Sequence, residues 1–216
     1  MSDVAAEAGV SQGTLYNYVE SKEALFRLLL DRGLAQPLPE SSQLPLRSPP
    51  PGALAERMEE AISKNFALPR LDKALRRRRV ADARKELESI LEELFERTLA
   101  TREAADVLER SAADAPELAA VFYGKVRRGL FDRVAHLASK RMAAGYYRRA
   151  DPQVVARLLV EAVTMFARHI FHDREPMAFD PGTASRDVIA ILSSGILSAR
   201  HRRESTRMPS GRAHRT

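Results

Sequence analysis

Residues 10–22 read VSQGTLYNYVESK, directly behind the small-residue stretch VAAEAG at 4–9. Glycine is the residue that most readily adopts the left-handed conformation that ends a helix, so Gly9 marks a stop and Val10 an apolar pin in the turn. Ser11 then stands where a helix needs a side-chain acceptor for its unpaired N–H groups, and Ser21 does the same one segment later, with Glu23 in the first turn that follows. The order is helix, tight turn, helix to about Val19, break, helix. The first helix would be capped by Ser2, and its alanines Ala5, Ala6 and Ala8 allow a neighbour to come close.

A short helix held across a tight turn by a small-residue partner has the layout of a helix-turn-helix, whose second helix enters the major groove N-terminus first. On that reading Ser11, Gln12, Gly13 and Thr14 lie nearest the DNA. Gln12 can pair bidentately with an adenine edge, and Thr14 offers a hydroxyl to phosphate and a methyl to thymine. Gly13 permits close backbone approach. Tyr16 can reach a phosphate with its hydroxyl, Asn17 is a second candidate for base contact, and Lys22 brings a charge to the backbone. The plainer reading makes Leu15 and Val19 core, Tyr16 and Tyr18 half-buried, and the polar groups merely solvated.

Outward from this stretch the chain looks helical throughout. Alanine, leucine, arginine and glutamate dominate, aromatics make up 6% and tryptophan is absent, a composition that suits helices and not strands. The fold class expected is all-α. In SKEALFRLLLDRG the residues Leu25, Phe26, Leu28, Leu29 and Leu30 form an apolar face that stops at Gly33. Residues 36–52 then hold six of the twelve prolines, which cannot form helix or central strand. They read as an extended linker, so the expected domains are 1–35, a helix-turn-helix region; 36–52, the linker; 53–200, a larger helical domain; and 201–216, a basic, disordered tail.

Within the larger domain, Leu87, Ile90, Leu91, Leu94, Phe95, Thr98 and Leu99 make one apolar stripe at helical spacing, and Leu118, Val121, Phe122, Leu130, Val134 and Leu137 make another, beginning at Pro116. Asp151-Pro152 opens a third helix with a broad stripe of Val155, Leu158, Leu159, Ala162, Val163, Phe166 and Ile170. A last helix spans roughly 184–199, with a wide apolar surface that suggests a partner. Arg76 to Arg79 read as a solvated face or loop, with a phosphate or interdomain contact as the alternative.

A net charge of +6 invites a nucleic-acid reading, yet the charge is unevenly placed. From Arg200 onward six arginines face one glutamate, whereas residues 1–35 carry three basic and five acidic side chains. Cysteine is absent, which excludes disulfides and thiolate metal sites. No leader-like start and no run near the ~20 apolar residues of a membrane span occurs, so a soluble, cytoplasmic protein is expected. No GxSxG, HExxH, GxGxxG or phosphate-cradling GK(S/T) loop is present, and Glu92, Glu93 and Glu96 read as the wet face of a helix; no catalytic residue, cofactor or metal is expected. His169 and His172 are three apart with Asp173 next, but near a helix end such histidines more often meet carbonyls or solvent.

The run VAAEAGVSQGTLYNYVESKEALF closely resembles the second and third helices, and the start of the fourth, of the TetR family of bacterial regulators. The resemblance rests on the alanines, Gly9, Val10, Ser11, Gly13, Thr14, Leu15, Tyr16, Tyr18, Ser21, Lys22, Leu25 and Phe26. It implies a DNA-binding domain whose first helix would lie ahead of the segment seen here, and it adds Tyr18 to the DNA-facing set. It also implies a larger helical domain that holds a small-molecule effector and pairs its last two helices with a second copy. On that analogy Leu159, Val163, Phe166, Ile189, Leu192 and Ile196 would lie at the homodimer interface. Two reading helices would then sit on half-sites of a palindrome about one turn, ~34 Å, or somewhat more apart. Mid-helix Phe95, Thr98, Phe122, Tyr123, Met165, Phe166 and His169 are candidates for the effector pocket. The alternative is a shortened ligand-binding and dimerisation module without effective DNA binding.

Overall fold

The computed structural model describes residues 1–33, 36–50, 52–111, 119–169 and 180–199. The fold is all-α, with helices throughout and no strand among the described residues beyond two isolated backbone bridges. Pro116, Leu118, Ile170, His172, Asp173 and the tail at 201–216 lie outside them. The chain divides into two compact units, each built from two separate stretches: residues 1–67 with 100–127, and residues 68–99 with 128–216.

The first unit begins with α1 (Ser2–Glu7), α2 (Gln12–Tyr16) and α3 (Lys22–Gly33). Ser2 does not cap: it is already helical, and Met1 occupies the cap position without a side-chain bond. Gly9 carries the positive φ, +66°, that the turn demands, and the Val10 N–H donates to the Ala5 carbonyl at 3.0 Å. After the proline-rich stretch come α4 (Ala53–Asn65), α7 (Arg102–Ser111) and a wide π-helical segment (Ala120–Arg127). Leu30, Ala105, Leu108, Val121 and Phe122 form the core, with Phe26, Leu54 and Val126 packed around it. α3 crosses α7 at Gly33, where a Cβ would lie 2.6 Å from the Ala104 backbone nitrogen; only a residue without a side chain fits there. Asp31 accepts from Arg57 Nε at 3.0 Å and Nη2 at 2.9 Å, tying α3 to α4.

The second unit holds α5 (Pro69–Arg76), α6 (Ala83–Ala100), α8 (Arg128–Ala143), α9 (Pro152–His169) and α10 (Pro181–Ile196), with α9 packed on both α8 and α10. Leu71, Leu87, Leu91, Leu137, Val155, Leu159, Val163, Ile189 and Leu197 are among its buried residues. Asp151 caps α9 through the N–H groups of Gln153 at 2.7 Å and Val154 at 3.3 Å, as the Asp-Pro signal requires. α10 starts three residues earlier than its apolar pattern suggests, because Asp180 accepts from Thr183 N–H at 2.8 Å and Pro181 fits the first turn.

Two charged residues depart from the expected pattern. Glu93 is buried and not on a wet face: it accepts from the backbone N–H of Arg70 at 2.9 Å, supplying α5 with the cap its own Leu68 cannot provide. Arg141 is 0% exposed. Its guanidinium meets Glu86 at 2.7 and 2.9 Å and the carbonyls of Ala74 and Arg77 at 2.9 and 3.2 Å, which satisfies most of its donors. Arg76 to Arg79 are exposed, in keeping with a solvated end of α5.

Candidate DNA-reading surface

The short α2 is built from its cap outward. Ser11 Oγ accepts from Thr14 N–H at 3.0 Å and lies 2.8 Å from the Thr14 hydroxyl, so Ser11 and Thr14 brace one another. Gln12 and Gly13 follow, exposed; a Cβ at Gly13 would meet only Ser11 Oγ at 3.7 Å, so the unit's own packing does not demand glycine there. The helix ends at Tyr16, short of the Val19 expected from the sequence. The reason lies far along the chain: the Tyr18 carbonyl accepts from Leu46 N–H at 2.8 Å and the Glu20 N–H donates to the Leu46 carbonyl at 2.9 Å, which takes both groups out of any helical ladder. Val19, between them, is 1% exposed.

Asn17 and Tyr18 therefore sit in a turn. Ser11, Gln12, Gly13, Tyr16, Asn17, Tyr18 and Lys22 are all exposed and Thr14 is half-buried. Leu15 is half-buried and Val19 is core, whereas Val10, expected as a pin, is 39% exposed. Ser21 Oγ accepts from Ala24 N–H at 3.1 Å, which sets Lys22 at the first turn of α3.

The other expected sites are placed differently. Phe122 is in the core of the first unit and Tyr123 is exposed there, while Phe95 and Phe166 pack in the core of the second; Thr98 is half-buried and Met165 is exposed. The described position of His169 covers its backbone only. A small apolar cavity in the second unit is lined by none of these but by residues that include Leu71, Leu87, Leu91, Val134, Leu159 and Tyr147. The Tyr147 hydroxyl is buried without a hydrogen-bond partner, and burial, then the nearby Glu86 carboxylate, hold its pKa far above the usual phenol value. Neither the cavity nor Tyr147 was signalled by periodicity, since leucines at core spacing look alike whether or not they leave a void.

Of the six residues expected at a dimer interface, Leu159, Val163, Ile189 and Ile196 are buried in the unit's own core, and Phe166 and Leu192 pack against it. The outward apolar residues of α9 and α10 are instead Val154, Leu158, Met165 and Ile191, 51 to 71% exposed. Among the described residues no group of three or more His, Asp or Glu could hold a metal. No described helix is long and apolar enough to cross a membrane.

A family model for the bacterial regulatory proteins of the tetR family matches residues 1–29, the stretch that carries the surface described above. Among solved structures, the whole fold is similar to that of a protein from Mesorhizobium loti MAFF303099 assigned to the TetR-family transcriptional regulators. That likeness has a TM-score of 0.52 and 14% identity, over 91% of this chain and 86% of that one. No curated protein matches the chain. The N-terminal match places a segment similar to the TetR-type helix-turn-helix at residues 1–29, and the structural likeness is one of fold.

Proposed function

We propose that the chain represses transcription as a homodimer, with the Ser11 to Lys22 surfaces of two copies set on the half-sites of a palindromic operator and released by a small-molecule effector. The observation that carries the DNA-reading part is that Gln12, Tyr16, Asn17 and Tyr18 are exposed on a segment whose own caps are already satisfied, with Lys22 exposed at the start of the helix that follows. Gln12 and Asn17 have the paired donors and acceptors to read base edges, and Tyr16 and Lys22 suit phosphates.

The dimer face follows from the outward residues of α9 and α10. Val154, Leu158 and Met165 lie on one stripe of α9 and Ile191 stands on α10, where Gly195 leaves its surroundings open. Four large exposed apolar side chains on two adjacent helices are what a four-helix interface between copies would bury. Such a protein would act in the cytoplasm, where its DNA is.

Binding of the full chain to DNA from upstream of its own gene tests the reading. Gln12→Ala should weaken specific binding by about 1 to 3 kcal/mol while leaving binding to unrelated duplex unchanged. A chain that dimerises but binds no duplex would instead be a ligand-binding and dimerisation module.

A further inference from the structure

The proline-rich stretch is not a free spacer. Within it Leu46 makes two backbone hydrogen bonds to the turn after α2, and the Ser48 N–H donates to Glu20 Oε2 at 3.0 Å. Val19 and Leu46 stand side by side as a parallel pair, the first buried and the second half-buried. Tyr18 and Glu20 on one side of the bridge and Pro45 and Arg47 on the other are all exposed.

We propose that this strap is a second DNA-contacting element, which presents the Arg47 guanidinium to a backbone phosphate beside the reading turn. The proposal rests on the DNA-reading function above. Three observations carry it. Arg47 is exposed and directly follows Leu46, whose N–H donates to the carbonyl of the exposed Tyr18, so the strap's arginine is tied to the end of the Ser11 to Lys22 segment. It has no hydrogen bond or ion pair among the described residues, whereas Arg27 is paired with Asp31 and Glu20 is engaged by the Ser48 amide. The charge of the reading region also leaves a need: residues 1–33 carry three basic against five acidic side chains, and phosphate contacts draw mainly on Arg and Lys. Proline at 45, 49 and 50 keeps the strap extended, so little freedom is lost when Arg47 engages. Glu20 is a positioning residue, holding the strap through Ser48.

The test uses the full chain and fluorescence anisotropy on two labelled duplexes, its own upstream DNA and a scrambled one, over roughly 50 to 200 mM salt. Arg47→Gln should lower affinity on both duplexes by the same factor, about 3- to 10-fold. It should also reduce the slope of log K against log salt by about 1, while Arg47→Lys keeps that slope. Leu46→Pro, which removes the N–H bonded to Tyr18, should reproduce the slope loss, and adding Arg47→Gln to it should cost nothing more. An unchanged affinity and slope for Arg47→Gln, with Gln12→Ala still weakening specific binding, overturns the strap's role alone. A wild-type chain that binds neither duplex overturns the strap and the DNA-reading function together.

Discussion

Single residues divide into those whose role is written in local sequence and those whose role depends on a distant partner. Ser11, Ser21 and Asp151 cap the helices that follow them because a cap needs only a side-chain acceptor within three residues. Glu93, Arg141 and Glu86 are opaque for the opposite reason: a charged residue on a patterned helix looks solvated until the element that covers it is known, and theirs come from positions about 23 to 67 residues away. Tyr147 belongs with them. Its hydroxyl is buried without a partner, which costs on the order of 1 to 3 kcal/mol, so Tyr147→Phe should leave the fold as stable or raise its stability by about 1 kcal/mol in urea titrations at neutral pH. Its raised pKa also has a sign. Above pH 10.0, the ordinary phenol value, the unfolded chain loses a proton that the folded chain keeps, so stability falls as pH rises. Tyr147→Phe should flatten that alkaline decline, and an identical decline in both proteins would remove Tyr147 as its source.

At the level of elements, periodicity located the helices better than it located their outward faces. The stripe Leu87, Ile90, Leu91, Leu94 and Phe95 is core as read, and α9 begins where Asp-Pro said it would. The same reading could not tell which edge of a broad stripe is covered. α9 is apolar around most of its girth, and only its packing on α8 and α10 decides that Leu159 is 1% and Leu158 51% exposed. These neighbours make a paired test. Leu159→Ala should cost about 2 to 5 kcal/mol of folding stability, whereas Leu158→Arg should leave helix content and melting intact and yield monomers in light scattering. A Leu158→Arg dimer as tight as wild type would move the interface elsewhere. α2 shows the same limit: its early end at Tyr16 is set by Leu46, a residue that no local window around Val19 contains.

For the whole molecule, net charge was a poor guide and connectivity an invisible one. The positive excess lies in the last residues, while the surface proposed to read DNA sits in the acidic first stretch. The proline-rich 36–52 marks a change of composition and suggests a seam. Contacts instead group residues 1–67 with 100–127, because α3 finds its partner α7 only after the chain has passed through α5 and α6. A peptide of residues 1–52 should therefore show little stable helix by circular dichroism, and residues 100–127 added in trans should raise it; full helicity of the peptide alone would contradict this. The tight Gly33–Ala104 crossing gives that arrangement a consequence in time. During synthesis the stretch proposed to read DNA leaves the ribosome well before its footing does, so a nascent chain stalled anywhere short of residue 104 would own every side chain of that surface and still lack the support that holds it in shape.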